Sequence, residues 1–142
     1  MASEFTITFP RRLFDKRLLS ALLIALTLIG LAGCRTSPVR ELNGQPVPPG
    51  VSAAEVSKTI QSAGNSLGWA MKQTRPGLIT GTIYLRDHMA KVEIPYSSSS
   101  YSIRYASSTN LKYDASKRTI HSNYNSWVQN LDNQIRARLA SL

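Results

Sequence analysis

The chain has 142 residues, 42% hydrophobic and 18% charged, with 17 Lys or Arg against 8 Asp or Glu for a formal net charge of +9. Its single cysteine, Cys34, excludes an intramolecular disulfide, so the fold has to rest on packing alone. The positive balance favours anionic partners through long-range attraction without choosing among them.

Arg11, Arg12, Lys16 and Arg17 precede an apolar run over residues 18–33 that ends in Leu31-Ala32-Gly33-Cys34. A basic segment followed by an apolar one is the physical order of an export signal. The 16 residues of the run fall short of the ~20 that a stable helical span needs. They close on small residues that a peptidase can admit.

This stretch resembles a bacterial lipoprotein signal peptide, with residues 31–34 matching the lipobox in all four positions. The resemblance implies a diacylglyceryl thioether on Cys34, cleavage between Gly33 and Cys34, and acylation of the new amino terminus. An uncleaved anchor and an ordinary buried thiol are the plainer alternatives. The next residue is Arg35 rather than the Asp that often retains enterobacterial lipoproteins in the inner membrane. The resemblance therefore implies the outer membrane, with the domain facing the periplasm, where chromosomal DNA is absent. Several acyl chains make a firm anchor, since one alone binds marginally at about 0.8 kcal/mol per buried CH₂.

Cleavage there leaves 109 residues, with 13 Lys or Arg against 6 Asp or Glu, enough for one domain. Residues 34–50 carry Pro38, Pro46, Pro48 and Pro49 and read as the lipidated cysteine followed by an extended tether. Fully extended at ~3.1 Å per residue, such a tether reaches roughly 50 Å. The folded domain is then expected over residues 51–142.

Residues 51–67 carry the clearest helix signal. Ser52 and Glu55 have the spacing of a capping box, Val51 and Val56 that of a hydrophobic staple, and Val56, Ile60, Ala63 and Leu67 form one apolar stripe. Gly68 is a plausible stop. The polar face of Ser57, Lys58, Gln61, Ser62 and Asn65 shows no chemistry.

Residues 69–75 read as a short strand, and Pro76-Gly77 as a turn. In residues 78–86, Ile79, Gly81, Ile83 and Leu85 face one way and Thr80, Thr82 and Tyr84 the other. Gly81 leaves a gap that suits a close approach by the first helix. Residues 89–96 alternate with Ala90, Val92, Ile94 and Tyr96 on one side. Pro95 cannot donate to a ladder, so this strand is expected at an edge or to end there. After a loop of four serines, alternation resumes over 101–106, and 111–113 reads as a further short strand before a turn at 114–117. From 124 to 139, Tyr124, Trp127, Val128, Leu131, Ile135 and Leu139 line one helical face, with Ser122 or Asn123 as cap. The fold expected is α+β: a two-layer sandwich with an N-terminal helix, three or four antiparallel strands and a C-terminal helix.

The pattern of His88, Ala90, Val92, Ile94 and Tyr96, then Tyr101 to Tyr105, Asn110-Leu111 and Ile120-His121 to Leu131 is similar to small proteobacterial lipoproteins of unassigned function. It spans residues 66–139 and implies a fold rather than an activity.

Chemistry is harder to find. His88, Asp87 and His121 are the only combination that could approach a metal set, and a turn histidine beside a helix-packed one is the plainer reading. No G-x-S-x-G elbow, paired carboxylates or phosphate-cradling glycine loop stands out. Neither enzyme, cofactor nor metal is expected. All six tyrosines, however, fall between 84 and 124, with Arg86, Lys91, Arg104, Lys112, Lys117 and Arg118 among them. Core packing explains most of them. The rest suggest a binding surface of Tyr84, Arg104, Lys112, Lys117 and Arg118.

Two functions remain open: a membrane-tethered, non-enzymatic interaction or structural module that meets an envelope protein, or a binding module for peptidoglycan or another anionic envelope polymer. Oligomeric state is undetermined by sequence.

Overall fold

The computed structural model describes residues 35–142; Cys34 and the export signal lie outside the described residues. In chain order the elements are β1 (Thr36–Pro38), β2 (Leu42–Pro46), α1 (Ala53–Ser66), β3 (Ala70–Arg75), β4 (Leu78–Leu85), β5 (His88–Pro95), β6 (Ser100–Thr109), β7 (Thr119–His121) and α2 (Ser122–Leu139).

Helix α1 begins where its capping box lies. The Glu55 amide donates to the Ser52 hydroxyl at 3.3 Å, and the Ser52 amide donates to the Glu55 carboxylate at 2.8 Å. Two otherwise orphaned donors are thereby satisfied. The helix ends on a Schellman motif, in which the Trp69 amide returns to the Gly64 carbonyl and the Gly68 amide to that of Asn65. Gly68 takes the required left-handed φ of 84°. Val56, Ile60 and Ala63 are fully buried, whereas Leu67, expected on the same stripe, is 38% exposed beyond the helix end.

The main sheet is antiparallel, with strand order β2-β6-β5-β4-β3. Ile79 and Ile83 of β4, Ala90, Val92 and Ile94 of β5, and Tyr101 and Ile103 of β6 turn to one face and are buried, as the two-residue period of strands requires. Both helices contribute to the same core, α1 through Val56, Ile60 and Ala63 and α2 through Tyr124, Val128, Leu131, Ile135 and Leu139. The result is a two-layer α+β sandwich whose other sheet face is uncovered among the described residues.

Two expectations are corrected, and one pair of alternatives is decided. The stretch read as a tether belongs to the domain. β1 pairs with β7, from Thr36 opposite His121 to Pro38 opposite Thr119, and β2 pairs with β6. Asn125 of α2 pins the connecting segment, accepting from the Arg40 amide at 2.8 Å and donating to the Ser37 hydroxyl and the Pro38 carbonyl. Proline made this segment extended, as expected, but extension here serves pairing. Of the two placements offered for the 89–96 strand, an edge or an end at Pro95, the second holds: β5 is the central strand, and Pro95 is the last residue of its ladder, opposite Leu78. Finally, residues 111–113 form no strand, since Asn110 and Lys112 adopt left-handed φ values of 57° and 51° that interrupt pairing.

The second helix starts at Ser122, and its cap is His121, whose Nδ1 accepts from the Asn123 amide at 3.2 Å. Trp127 is half-buried against the core, beside Trp69, Ile83 and Leu85.

The gap at Gly81 is filled by a side chain rather than by α1 itself. A Cβ at Gly81 would stand 2.9 Å from the Met71 sulfur, and one at Gly64 would overlap the same thioether. Two glycines, one on the helix and one on the sheet, thus clasp a single methionine.

Candidate functional site

The five residues expected to form a binding surface do not converge. Tyr84 is 71% exposed on the uncovered sheet face at the end of β4, opposite Met89, which in turn faces Thr109. Arg104 lies on the same face opposite Glu93, roughly 17 Å away by strand rise and spacing. Its Nε donates to the Asn43 side chain at 3.4 Å. Lys117 and Arg118 belong to the turn between Asp114 and Thr119, where each meets an acid: Lys117 lies 3.8 Å from Asp114, and Arg118 lies 3.2 Å from Glu41. Lys112 is exposed in the left-handed bend before that turn.

Most tyrosines serve the core. Tyr101 and Tyr124 are buried, and Tyr105 stacks on Tyr113 with centroids 4.4 Å apart while meeting Tyr124 edge-on at 5.6 Å. Burial raises the ionisation of both buried phenols, so they stay neutral through the alkaline range. The Tyr124 hydroxyl has no hydrogen-bond partner among the described residues.

Tyr101 does have one, and it exposes a feature the sequence reading missed. Its hydroxyl donates at 2.6 Å to Asp132, a carboxylate only 2% exposed, whose second oxygen accepts from Arg136 Nε at 2.9 Å. The interaction ties the β6 end of the sheet to the middle of α2. Asp132 accepts one bond on each oxygen, so its buried charge is compensated. The sequence did carry a signal. Asp132 falls four residues after Val128, on the apolar stripe, where an acid demands a partner.

A cleft of about 460 Å³ opens between the first half of α1 and the β3–β4 turn. Its walls include Ser57, Lys58 and Gln61 from the helix, Gln73 and Pro76-Gly77 from the hairpin, and Tyr96. Ser57, placed by sequence on the polar face of α1, is instead buried, and its hydroxyl donates to the Gln73 side chain at 2.9 Å. Gln61 donates back to the Ser57 hydroxyl at 3.2 Å. The cleft thus has a hydrogen-bonding wall and an aromatic neighbour, a combination suited to an amide-bearing ligand.

The cleft adjoins the free edge of β3. Ala70 to Gln73 pair with Thr82 to Ile79 in unbroken register, and a bulge follows before Arg75. On the outward side, the Met71 amide donates to the Asn65 side chain at 3.3 Å. Because outward amides alternate, that of Gln73 also points away from β4, and no partner meets it among the described residues.

The two histidines have local roles. His88 Nδ1 donates to the Asn110 carbonyl at 3.0 Å with Asp87 3.5 Å from its other nitrogen, and His121 caps α2. No group of three or more potential metal ligands is assembled among the described residues, and no helix among them is long and apolar enough to cross a membrane. No family model, no curated protein and no solved structure matches the chain.

Proposed function

We propose that this chain is a lipid-anchored protein of the bacterial outer membrane whose domain acts as a non-enzymatic interaction module on the periplasmic side. The observation that carries the reading is the lipobox at 31–34 directly ahead of a fold that begins at once: the Arg35 carbonyl accepts from the Ser122 amide at 2.8 Å. A lipid on Cys34 would be one residue from a point fixed on the domain. Such an anchor holds the domain close to the bilayer instead of at the end of a long tether.

A polymer-binding reading through Tyr84, Arg104, Lys112, Lys117 and Arg118 draws less support, because these side chains are dispersed and two of them already face acids. The test is intact mass and membrane fractionation of wild type and Cys34→Ala. The expected result is lipid mass and outer-membrane recovery for wild type alone, and crosslinking from the domain that captures an envelope protein in high salt. A soluble wild type, or one retaining residues 1–33, would sink the anchor. Capture of cell-wall material that collapses with salt would move the reading to the polymer.

A further inference from the structure

We propose that the free edge of β3 takes an extended acidic peptide as a sixth strand, with alternate side chains entering the cleft beneath α1. The inference rests on the reading that the domain's partner is a protein. Three observations at the β3 edge carry it.

The first is backbone. β3 is the edge strand of the sheet, in register from Ala70 to Gln73 with a bulge before Arg75, and its outward Gln73 amide faces no further strand among the described residues. Asn65 occupies the preceding outward amide, that of Met71, so the open stretch starts beyond it and runs toward Arg75. Strand addition draws its affinity from such main-chain groups and its selectivity from pockets for alternate side chains.

The second is the pocket. A strand laid along β3 would project every other side chain toward α1, where the cleft of about 460 Å³ presents Gln61, Gln73 and Tyr96. The third is charge. Lys58 on the cleft wall and Lys72 and Arg75 on the strand are exposed, and no ion pair forms on any of them among the described residues. No acid lines the cleft; Glu55, the nearby carboxylate of α1, is hydrogen-bonded by Ser52 and attracted by Lys58 from outside the cleft. An acidic strand supplies further counter-charge, and the long-range field of a mature chain with 13 Lys or Arg against 6 Asp or Glu draws it in.

The experiment uses the full chain in detergent and an end-blocked hexapeptide of alternating Glu and Val, with a second peptide of equal charge in which Pro replaces each Val. Hydrogen exchange is followed along the chain. In the expected result, exchange across β3 slows about tenfold with the Glu-Val peptide and not with the Glu-Pro peptide, in which every second residue lacks an amide hydrogen and the strand conformation is disfavoured. Gln73→Pro should weaken binding about tenfold relative to Gln73→Ala, which loses the same side-chain bond to Ser57 but keeps the outward amide. If Gln73→Pro does not fold, the pair Lys58→Glu and Arg75→Glu serves instead, with binding lost at low salt. Equal protection by both peptides, protection centred away from β3, no protection at millimolar peptide, or unchanged binding by the folded variant would each overturn the proposal. Lipidation plays no part in these readouts, so failure of the anchor and failure of the strand addition are separately visible.

Discussion

The two edges of the sheet are closed in different ways. β2 is bulged between Leu42 and Gln45, contains Gly44 at a left-handed φ of 61°, and ends at Pro46. Its Gly44 amide is taken by the Ser102 hydroxyl at 3.0 Å, and just beyond it the Val47 amide reaches the Ser99 carbonyl. β3 has no proline, keeps register for four residues before a bulge ahead of Arg75, and relies on one borrowed side chain, Asn65, to cover one amide. Irregular backbone and proline are durable protection against stray pairing, whereas a single side chain and a lysine are not. The sheet is therefore guarded on one side and receptive on the other.

The sharpest way to break this contrast is to loosen the guarded side. Asp132→Ala leaves the Tyr101 hydroxyl buried without its acceptor, and the expected destabilisation is about 2–3 kcal/mol by denaturant melting. Tyr101 pairs with Gln45 of β2, so hydrogen exchange should quicken at β2 and β6 before it does at β3. The reverse order would show that the buried carboxylate does not hold that edge.

On the receptive side the corresponding anchor is Met71. Replacing this half-buried side chain by Ala should cost about 2 kcal/mol. Gly64→Ala alone should also destabilise, because its methyl meets the thioether. In the Met71→Ala background that penalty should shrink by about 1 kcal/mol, and strict additivity of the two changes would rule out the clasp.

A smaller effect comes from the helix beside the cleft. Ser52→Ala should cost about 1 kcal/mol by thermal melting. The backbone hydrogen bond from Ser52 and the bond to its hydroxyl hold Glu55 below its usual 4.5. A depressed carboxyl contributes stability above its unfolded value and loses it as pH falls through the lower folded one. Acid lability below about pH 4.5 should therefore flatten in Glu55→Gln. Smallest of all is Arg118→Ala: its pair with Glu41 is largely solvated, so a change within about 0.5 kcal/mol is expected.

Legibility followed the range of the interactions. Ser52, Glu55 and Gly68 signal a helix through contacts three to six residues apart, and β4 and β5 alternate over eight residues each, so periodicity exposes them. β1 and β7 are three residues long, too short for any period, and each exists only because the other lies far along the chain. Proline-rich composition describes residues 35–50 correctly as extended but is silent on what they pair with. Asp132, four residues before Arg136, reads locally as a surface ion pair, and only its place on the apolar stripe reveals its burial. The cleft between α1 and β3 is a product of packing, so Gln73 and Ser57 carried no prior sign of it. Tyr84 was legible as exposed, whereas the scattering of the basic residues was not.

The pairing of β1 with β7 also sets an order of events. Thr36 meets His121, so the first described strand has no partner until the ribosome has made all but the last few turns of the chain. Contacts of that sequence separation close late. β2 can pair once β6 is made, but β1 stays without its partner until β7 follows. For a chain proposed to cross a membrane behind an export signal, such lateness is useful: an unclosed fold threads a narrow channel, and final closure falls on the far side.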